Sequence, residues 1–486
     1  MSRRTVPNTH CTAASRAHVA GVRRTAFAFA ALAVAALTGC SMIPTYQRPE
    51  APVPANWLYE SATQGTPAAA LNWQDFFAQP QLRDLIATAL RNNRDLRIAV
   101  LNIEQAKAQY DIRRADQYPT VGGAVNASRA PSPVNGKETT LYTVGLALSS
   151  WEIDFFGRIA SLSKAALAQY LATEEGRKAA QISLVSSVAN TWLSLVADQE
   201  LLAVARDTLQ TREESLRLTK LRFDNGVASE LDFRLAQSLT ETARVVLAQG
   251  QRQLELDANA LSLLIGQPAT PDVAGNVAIA NLALPDVPAG LPSEVLVRRP
   301  DVQQAEQQLV SANANIGAAR AAFFPRITLT ASAGTASDAL SGLFKSGSWA
   351  YTVAPSLLQP IFDAGRNAAG LRSAEVGRDI AVAQYERAIQ TAFREVSDAL
   401  AGRTTLADQV RAQDNVTAAE TVRLRLSTLR YDNGVASYLE LLDAQRSLFT
   451  ARQQQVQTRL QLLQNQVLLY RSLGGGWSDV TPVAAQ

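Results

Sequence analysis

The sequence predicts a mixed α+β membrane fold: four strands per chain contributed to a β-barrel shared between chains, and long α-helices that continue it as a coiled-coil barrel. Three observations predict it. The chain repeats itself in tandem; each copy carries two strands with one apolar and one small-polar face; the rest is helix, in segments longer than a compact domain holds.

The duplication is the strongest of the three. Leu218 to Ser229 (LTKLRFDNGVAS) recurs 208 residues later as Leu426 to Ser437 (LSTLRYDNGVAS). Ala236-Gln237 recurs as Ala444-Gln445, Asp154 to Arg158 matches Asp363 to Arg366, and Tyr118-Pro119 matches Phe324-Pro325, all in order. Order preserved at nearly constant offset marks a tandem duplication. The expected organisation is a leader over 1–39, an extended segment over 40–74, a first repeat over 75–270, a linker rich in Pro, Ala and Val over 271–292, a second repeat over 293–475 and a tail over 476–486.

Strands are expected at 119–129, 141–152, 325–335 and 349–361. Tyr142, Val144, Leu146 and Leu148 alternate with Thr143, Gly145, Ala147 and Ser149, the period-two pattern of a strand with two unlike faces. Ile327, Leu329, Ala331 and Ala333 alternate with Arg326, Thr328, Thr330 and Ser332, and the Trp349–Leu357 stretch behaves likewise. About ten residues is the length of a tilted membrane strand, and aromatics cluster at both ends, Trp151, Phe155, Phe156, Phe323 and Phe324 at one, Tyr142, Trp349 and Tyr351 at the other. A sheet in hydrocarbon must close, because an open edge leaves N–H and C=O groups unpaired. Four strands cannot close alone. Two chains would give eight strands packed shut; three would give twelve with room for a lumen, which the small inward residues suit.

Helices are expected near 81–116, 158–222, 230–266, 299–322, 366–431 and 438–473. Val188, Leu195, Leu202, Leu209 and Leu216 recur every seventh residue, the seam of a coiled coil. Beyond the leader no apolar run comes near the length of a membrane helix. In the duplicated motif, Gly226 and Gly434 are placed to end a helix in the left-handed conformation, and Ser229 and Ser437 to cap the next one, with Ser437-x-x-Glu440 as a capping box. The motif therefore breaks and restarts a helix; one carboxylate per copy is too few for a metal loop.

The leader decides the chemistry available. Arg23-Arg24, the apolar run Ala26–Leu37 and Leu37-Thr-Gly-Cys40 have the layout of an export signal ending in a lipobox, so Cys40 is expected to become the lipidated first residue. Ser41, not Asp, follows it, which points to the outer membrane. His10, His18 and Cys11 would leave with the leader, taking with them nitrogen–sulfur metal sites, disulfides and Ser-His or Cys-His catalysis. No cofactor is expected. Five arginines and no acids leave too, taking the formal net charge from +3 to −2 and removing any case for nucleic-acid binding.

At these motifs the chain resembles the TolC-like outer membrane factors, specifically the NodT-type lipoproteins of resistance-nodulation-division (RND) efflux systems. The residues that carry the resemblance are Pro44-Thr-Tyr-Gln-Arg-Pro-Glu-Ala-Pro-Val-Pro54, Trp151-Glu-Ile-Asp-Phe-Phe-Gly-Arg158, Leu291-Pro-Ser-Glu-Val-Leu-Val-Arg-Arg-Pro-Asp301 with Ala305-Glu306, and both Asp-Asn-Gly-Val-Ala-Ser copies. The resemblance implies a homotrimer with a twelve-stranded outer-membrane barrel and a long periplasmic α-helical barrel closed at its far end. It implies passive conduction of small molecules, not catalysis, with a periplasmic adaptor protein and an inner-membrane RND transporter as partners. By position it suggests Asp408 and Arg411 as a periplasmic gate, with helix-to-helix tips near Gly402–Gln413 and Ala197–Ala203. The competing expectations are the outer channel of a type I protein-secretion system and a non-conducting structural coiled-coil lipoprotein; an envelope hydrolase lacks any nucleophile motif.

Overall fold

The computed structural model describes residues 41–57, 59, 68–131, 136–275 and 277–477. The leader and Cys40 lie outside them. The helices are α1 (Trp73–Phe76), α2 (Pro80–Asn92), α3 (Arg94–Ala115), α4 (Arg158–Asp224), α5 (Glu230–Ile265), α6 (Pro292–Arg298), α7 (Pro300–Ala321), α8 (Arg366–Asp432) and α9 (Tyr438–Ser472). The strands are β1 (Val121–Pro131), β2 (Glu138–Glu152), β3 (Arg326–Ser337) and β4 (Trp349–Leu358). The duplication shows in the lengths: α4 and α8 each have 67 residues, and α5 and α9 have 36 and 35. At 1.5 Å per residue a 67-residue helix is ~100 Å long.

The chain divides into two compact units, each built from separate segments of the sequence. The first holds 41–47, 107–168 and 309–380 and contains the four-stranded antiparallel sheet, in the order β1-β2-β3-β4. Here Ile43 of the N-terminal segment lies against Gly317, while Asn313 donates from Nδ2 to the carbonyl of Pro44 at 2.8 Å.

The second unit holds 48–106, 169–308 and 381–477 and is a helical body. Its core joins Phe76, Phe77, Ile86, Val188, Trp192, Leu195, Leu261 and Ile265 to Val396, Val467 and Tyr470, with Phe76 stacked on Tyr470 at 4.0 Å between ring centres. Val188, Leu195 and Leu202 of the heptad seam are buried and Leu209 and Leu216 half-buried. One stretch of α4 is long and apolar enough to cross a membrane, contrary to the expectation from sequence, but over half of it is buried in the protein.

One expected helix is divided and another is shifted at its start. The 81–116 helix breaks at Asn93, which is extended and buried: its Nδ2 donates to Leu264 O at 2.9 Å and its Oδ1 accepts from Leu96 N at 2.9 Å, capping α3. The 299–322 helix starts one residue later, at Pro300, because the residue before a proline is driven out of the helical region; Arg299 is accordingly extended. The short α6 starts at the last residue of the expected linker and otherwise lies at the beginning of the second repeat.

Two of the motifs that carry the family resemblance form clasps within the second unit. Arg48 of the N-terminal Pro-rich motif grips Glu306 with two bonds of 2.7 and 2.9 Å. Arg299 is buried and donates to Asp301, Glu395 and the carbonyl of Ser472.

Candidate functional site

The sheet presents two unlike faces, and pairing shows which residues share each. Val125, Val144, Thr335 and Trp349 lie opposite one another across the four strands, as do Gly123, Leu146, Ala333 and Tyr351 and then Val121, Leu148, Ala331 and Val353. This face is apolar and bare: Val125 is 77% exposed, Leu146 60%, Tyr351 74% and Leu357 63%. The other face carries Asn126, Thr143, Gly145, Ala147, Ser332, Gly334, Thr352 and Ala354. A soluble sheet buries its apolar face; this one leaves it open and keeps the small polar residues on the other side. β1 and β4 are the two edges, each with one side unpaired in the chain.

A bulge keeps the faces in phase. Between Leu148 and Trp151 the β2–β3 register slips by one residue, with Ser150 at φ +51°. Strict alternation would turn Trp151 to the small-polar side. The extra residue returns it to the apolar side, opposite Leu329. β2 and β3 also cross at a glycine pair: a Cβ on Gly334 would lie 2.5 Å from the Cα of Gly145, and one on Gly145 would lie 2.7 Å from the Cα of Gly334.

Where strands give way to helices, the Trp151–Arg158 motif acts as a splice. Glu152 holds Arg158 at 2.6 Å and Arg326 at 2.7 Å. Asp154 accepts from Ala160 N at 2.7 Å, capping α4. Asp363 does the same for α8, accepting from Gly365 N and Asn367 N, both at 2.9 Å; those bonds hold its carboxyl below the usual range. Phe156 stacks on Phe324 at 4.7 Å, and these groups border a 260 Å³ cavity with Arg366 and Asn367.

The hairpin tips lie at the duplicated motif, and this corrects the positions expected from sequence. Residues 197–203 and 402–413 fall inside the uninterrupted α4 and α8. The turns are Asn225–Ala228 and Asn433–Ala436. Gly226 and Gly434 both have φ +72°. Val227 N donates to Arg222 O at 2.8 Å and Gly226 N to Phe223 O at 2.9 Å, and Val435 and Gly434 repeat both bonds. This is the left-handed helix stop that glycine permits. Ser229 caps α5 in a reciprocal box with Asp232. Ser437 caps α9, but the expected capping box there is half formed, because the Glu440 side chain is taken by Arg430 at 3.1 Å.

Asp408 and Arg411 lie together on the exposed surface of α8 and pair with each other. Nearer the turns the structure gathers groups that, Glu440 apart, the sequence did not single out. Arg423 pairs with Asp443, Arg430 with Glu440, and Arg222 donates to the Tyr431 hydroxyl. Ser215 bonds the Tyr438 hydroxyl at 2.8 Å, and the Tyr431 and Tyr438 rings lie 5.6 Å apart. Their sequence signal was position alone, close before or after one of the two glycine stops.

The outer membrane efflux protein family profile matches residues 85–267 and again 291–475. The chain is 46% identical over 461 residues, 93% of its own length and 95% of the relative's, to the toluene efflux pump outer membrane protein TtgC of Pseudomonas putida. Identity and coverage are the same for the antibiotic efflux pump outer membrane protein ArpC of P. putida. Among solved structures it is similar to the open state of the Neisseria gonorrhoeae MtrE outer membrane channel, with a TM-score of 0.83 and 40% identity over 90% of this chain and 99% of that one. The bare apolar sheet, the long duplicated helices and these likenesses agree, and the chain belongs to the outer membrane efflux protein family.

Proposed function

We propose that this outer-membrane efflux component works as a lipid-anchored homotrimer, its twelve strands enclosing a passive duct. Cargo is handed on by an inner-membrane RND transporter through a periplasmic adaptor. The observation that carries this reading is the four-stranded sheet with an uncovered apolar face and two open edges. Such a sheet is incomplete in lipid until copies close it. The lipid sits on Cys40. Transport energy comes from the transporter, and no step on this chain makes or breaks a bond.

The cargo is small molecules, apolar solvents and antibiotics included. Two relatives equally similar to this chain are named for toluene and for antibiotics, which supports a duct that takes unlike cargo with selection left to the pump. The mass of the detergent-purified protein, with and without heating, together with planar-bilayer conductance, tests the reading. A heat-labile trimer with small, mostly closed conductance supports it; a water-soluble monomer without conductance after removal of Cys40 ends it.

The resting gate lies toward the periplasmic tips. Three-fold repetition turns each charge into a ring. Asp408 with Arg411 is the pair the sequence suggests; Arg423–Asp443 and Arg430–Glu440 are closer to the turns. Asp408→Ala with Arg411→Ala should raise single-channel conductance if that ring closes the duct. Unchanged conductance there, with a rise in Arg423→Ala with Arg430→Ala, transfers the gate to the tips.

A further inference from the structure

Arg212 lies on α4 about four turns before the Gly226 stop. Only 7% of it reaches solvent. Its Nη1 is buried without a hydrogen-bond partner, and no acid among the described residues forms an ion pair with it. Burial is the largest influence on the guanidinium and lowers its pKa; the neighbours that follow are the Tyr438 ring and a second cation, Arg446. A buried charge without a counter-charge is costly to keep. The duplication sharpens the point: 208 residues on, the equivalent position is Glu420, which pairs with Arg423 at 3.1 Å. The second copy compensates its charge within the chain and the first does not.

Arg212 borders a 90 Å³ cavity walled by α4, α8 and α9, with Arg452 and Gln445 across from it. The Thr208 and Thr211 hydroxyls in the wall donate back along their own helix. The donors left for a guest are two guanidinium groups and one amide. Asp207 is the single acid of the wall, exposed and in no ion pair with Arg212. Planar guanidinium forks match the oxygens of carboxylate and phosphate.

We infer that the cavity beside Arg212 is a binding site for one small oxyanion, inorganic phosphate or the carboxylate of a small organic acid. Bound there, the anion supplies the counter-charge that the fold omits and ties α4 to α9 just above the tips.

The test uses the full-length protein in detergent, with sodium phosphate or sodium acetate replacing sodium chloride at constant pH and ionic strength. Phosphate, acetate or both should raise the thermal midpoint saturably, since a ligand that binds only the folded state stabilises it. Response to phosphate alone identifies the inorganic ion, and response to acetate identifies the carboxylate. Arg212→Gln should need at least about tenfold more anion for the same rise. Should that variant fail to fold, Arg452→Gln at the exposed lip carries the comparison and should weaken the response. No rise above chloride in the natural protein, or an undiminished rise in the variants, overturns the assignment.

Discussion

Asp198→Asn should remove a pH dependence that the natural chain carries between neutral and mildly acidic conditions. Asp198 on α4 is half-buried and faces Asp257 on α5, whose Oδ1 accepts from Gln253 at 3.1 Å. The Oδ2 of Asp198 is buried without a donor. It finds a partner when Asp198 is protonated and donates to Asp257. Burial first, then the hydrogen bond to Asp257 and its charge, push the Asp198 carboxyl from 3.8 up to about 7. The folded chain therefore holds a proton that the unfolded chain releases. The resulting stability is fully present below about pH 4 and is lost as pH rises through about 7. The whole shift has a ceiling of roughly 4 kcal/mol. About half falls between about pH 5.5 and pH 8, and solvent screening of a half-buried group leaves an expected loss of about 1 kcal/mol. Asparagine donates to Asp257 at every pH, so the variant should be flat across that window and more stable than the natural chain at its upper end. Both histidines lie at positions 10 and 18, so no imidazole among the described residues titrates there. Guanidinium unfolding followed by helical circular dichroism at both pH values measures it. A natural chain with no slope, or a variant with the same slope, would refute the reasoning.

Two further outcomes follow from packing. Gly334→Ala must push β2 and β3 apart, because its Cβ would lie 2.5 Å from the Cα of Gly145; overpacking of this kind costs about 1–3 kcal/mol or more. The heat-modifiable band on electrophoresis should fade, while Gly122→Ala, with nothing within 4 Å, should leave it intact. Arg299→Met strands Glu395 without its closest cation, at 2.8 Å, and should lower stability by about 3–5 kcal/mol in denaturant unfolding. Arg299→Lys should recover little of it, because one ammonium cannot reach Asp301, Glu395 and the Ser472 carbonyl together.

Alternation made the strands legible, and recurrence made the helix stops legible, because both are local patterns of residue type. What was not legible depends on contact. The tips expected near Ala197–Ala203 and Gly402–Gln413 fall inside α4 and α8, whose helical composition runs on unbroken to the glycine stops, and Gly402 lies there with Asn465 packed against it. A glycine kept for room and a glycine kept for a left-handed turn look the same in sequence. The bulge at Ser149-Ser150 uses neither Gly nor Pro, so only pairing with β3 shows it. The break at Asn93 rests on a bond to Leu264, 171 residues on. Arg212 is one cation among 46; burial without an acid partner distinguishes it, since Arg299, equally buried, has Asp301 and Glu395. Asp408 and Arg411 came from the family resemblance by position; they do pair, but a pairing within one chain carries no information on which end of a duct they face.

The open edges of the sheet also bear on how the channel comes into being. A single chain that entered lipid would drag a row of unpaired backbone groups on β1 and another on β4 into hydrocarbon, at several kcal/mol for each group. Insertion by one chain is therefore uphill, and on the proposed shared barrel it is favoured for copies to meet before any of them enters the bilayer. Biogenesis then has the kinetics of an encounter, not of a threading reaction: it slows steeply as the chain becomes scarce, and a tether that concentrates copies at the membrane surface speeds it. A lipid on Cys40 would be such a tether, useful before the duct exists as much as after.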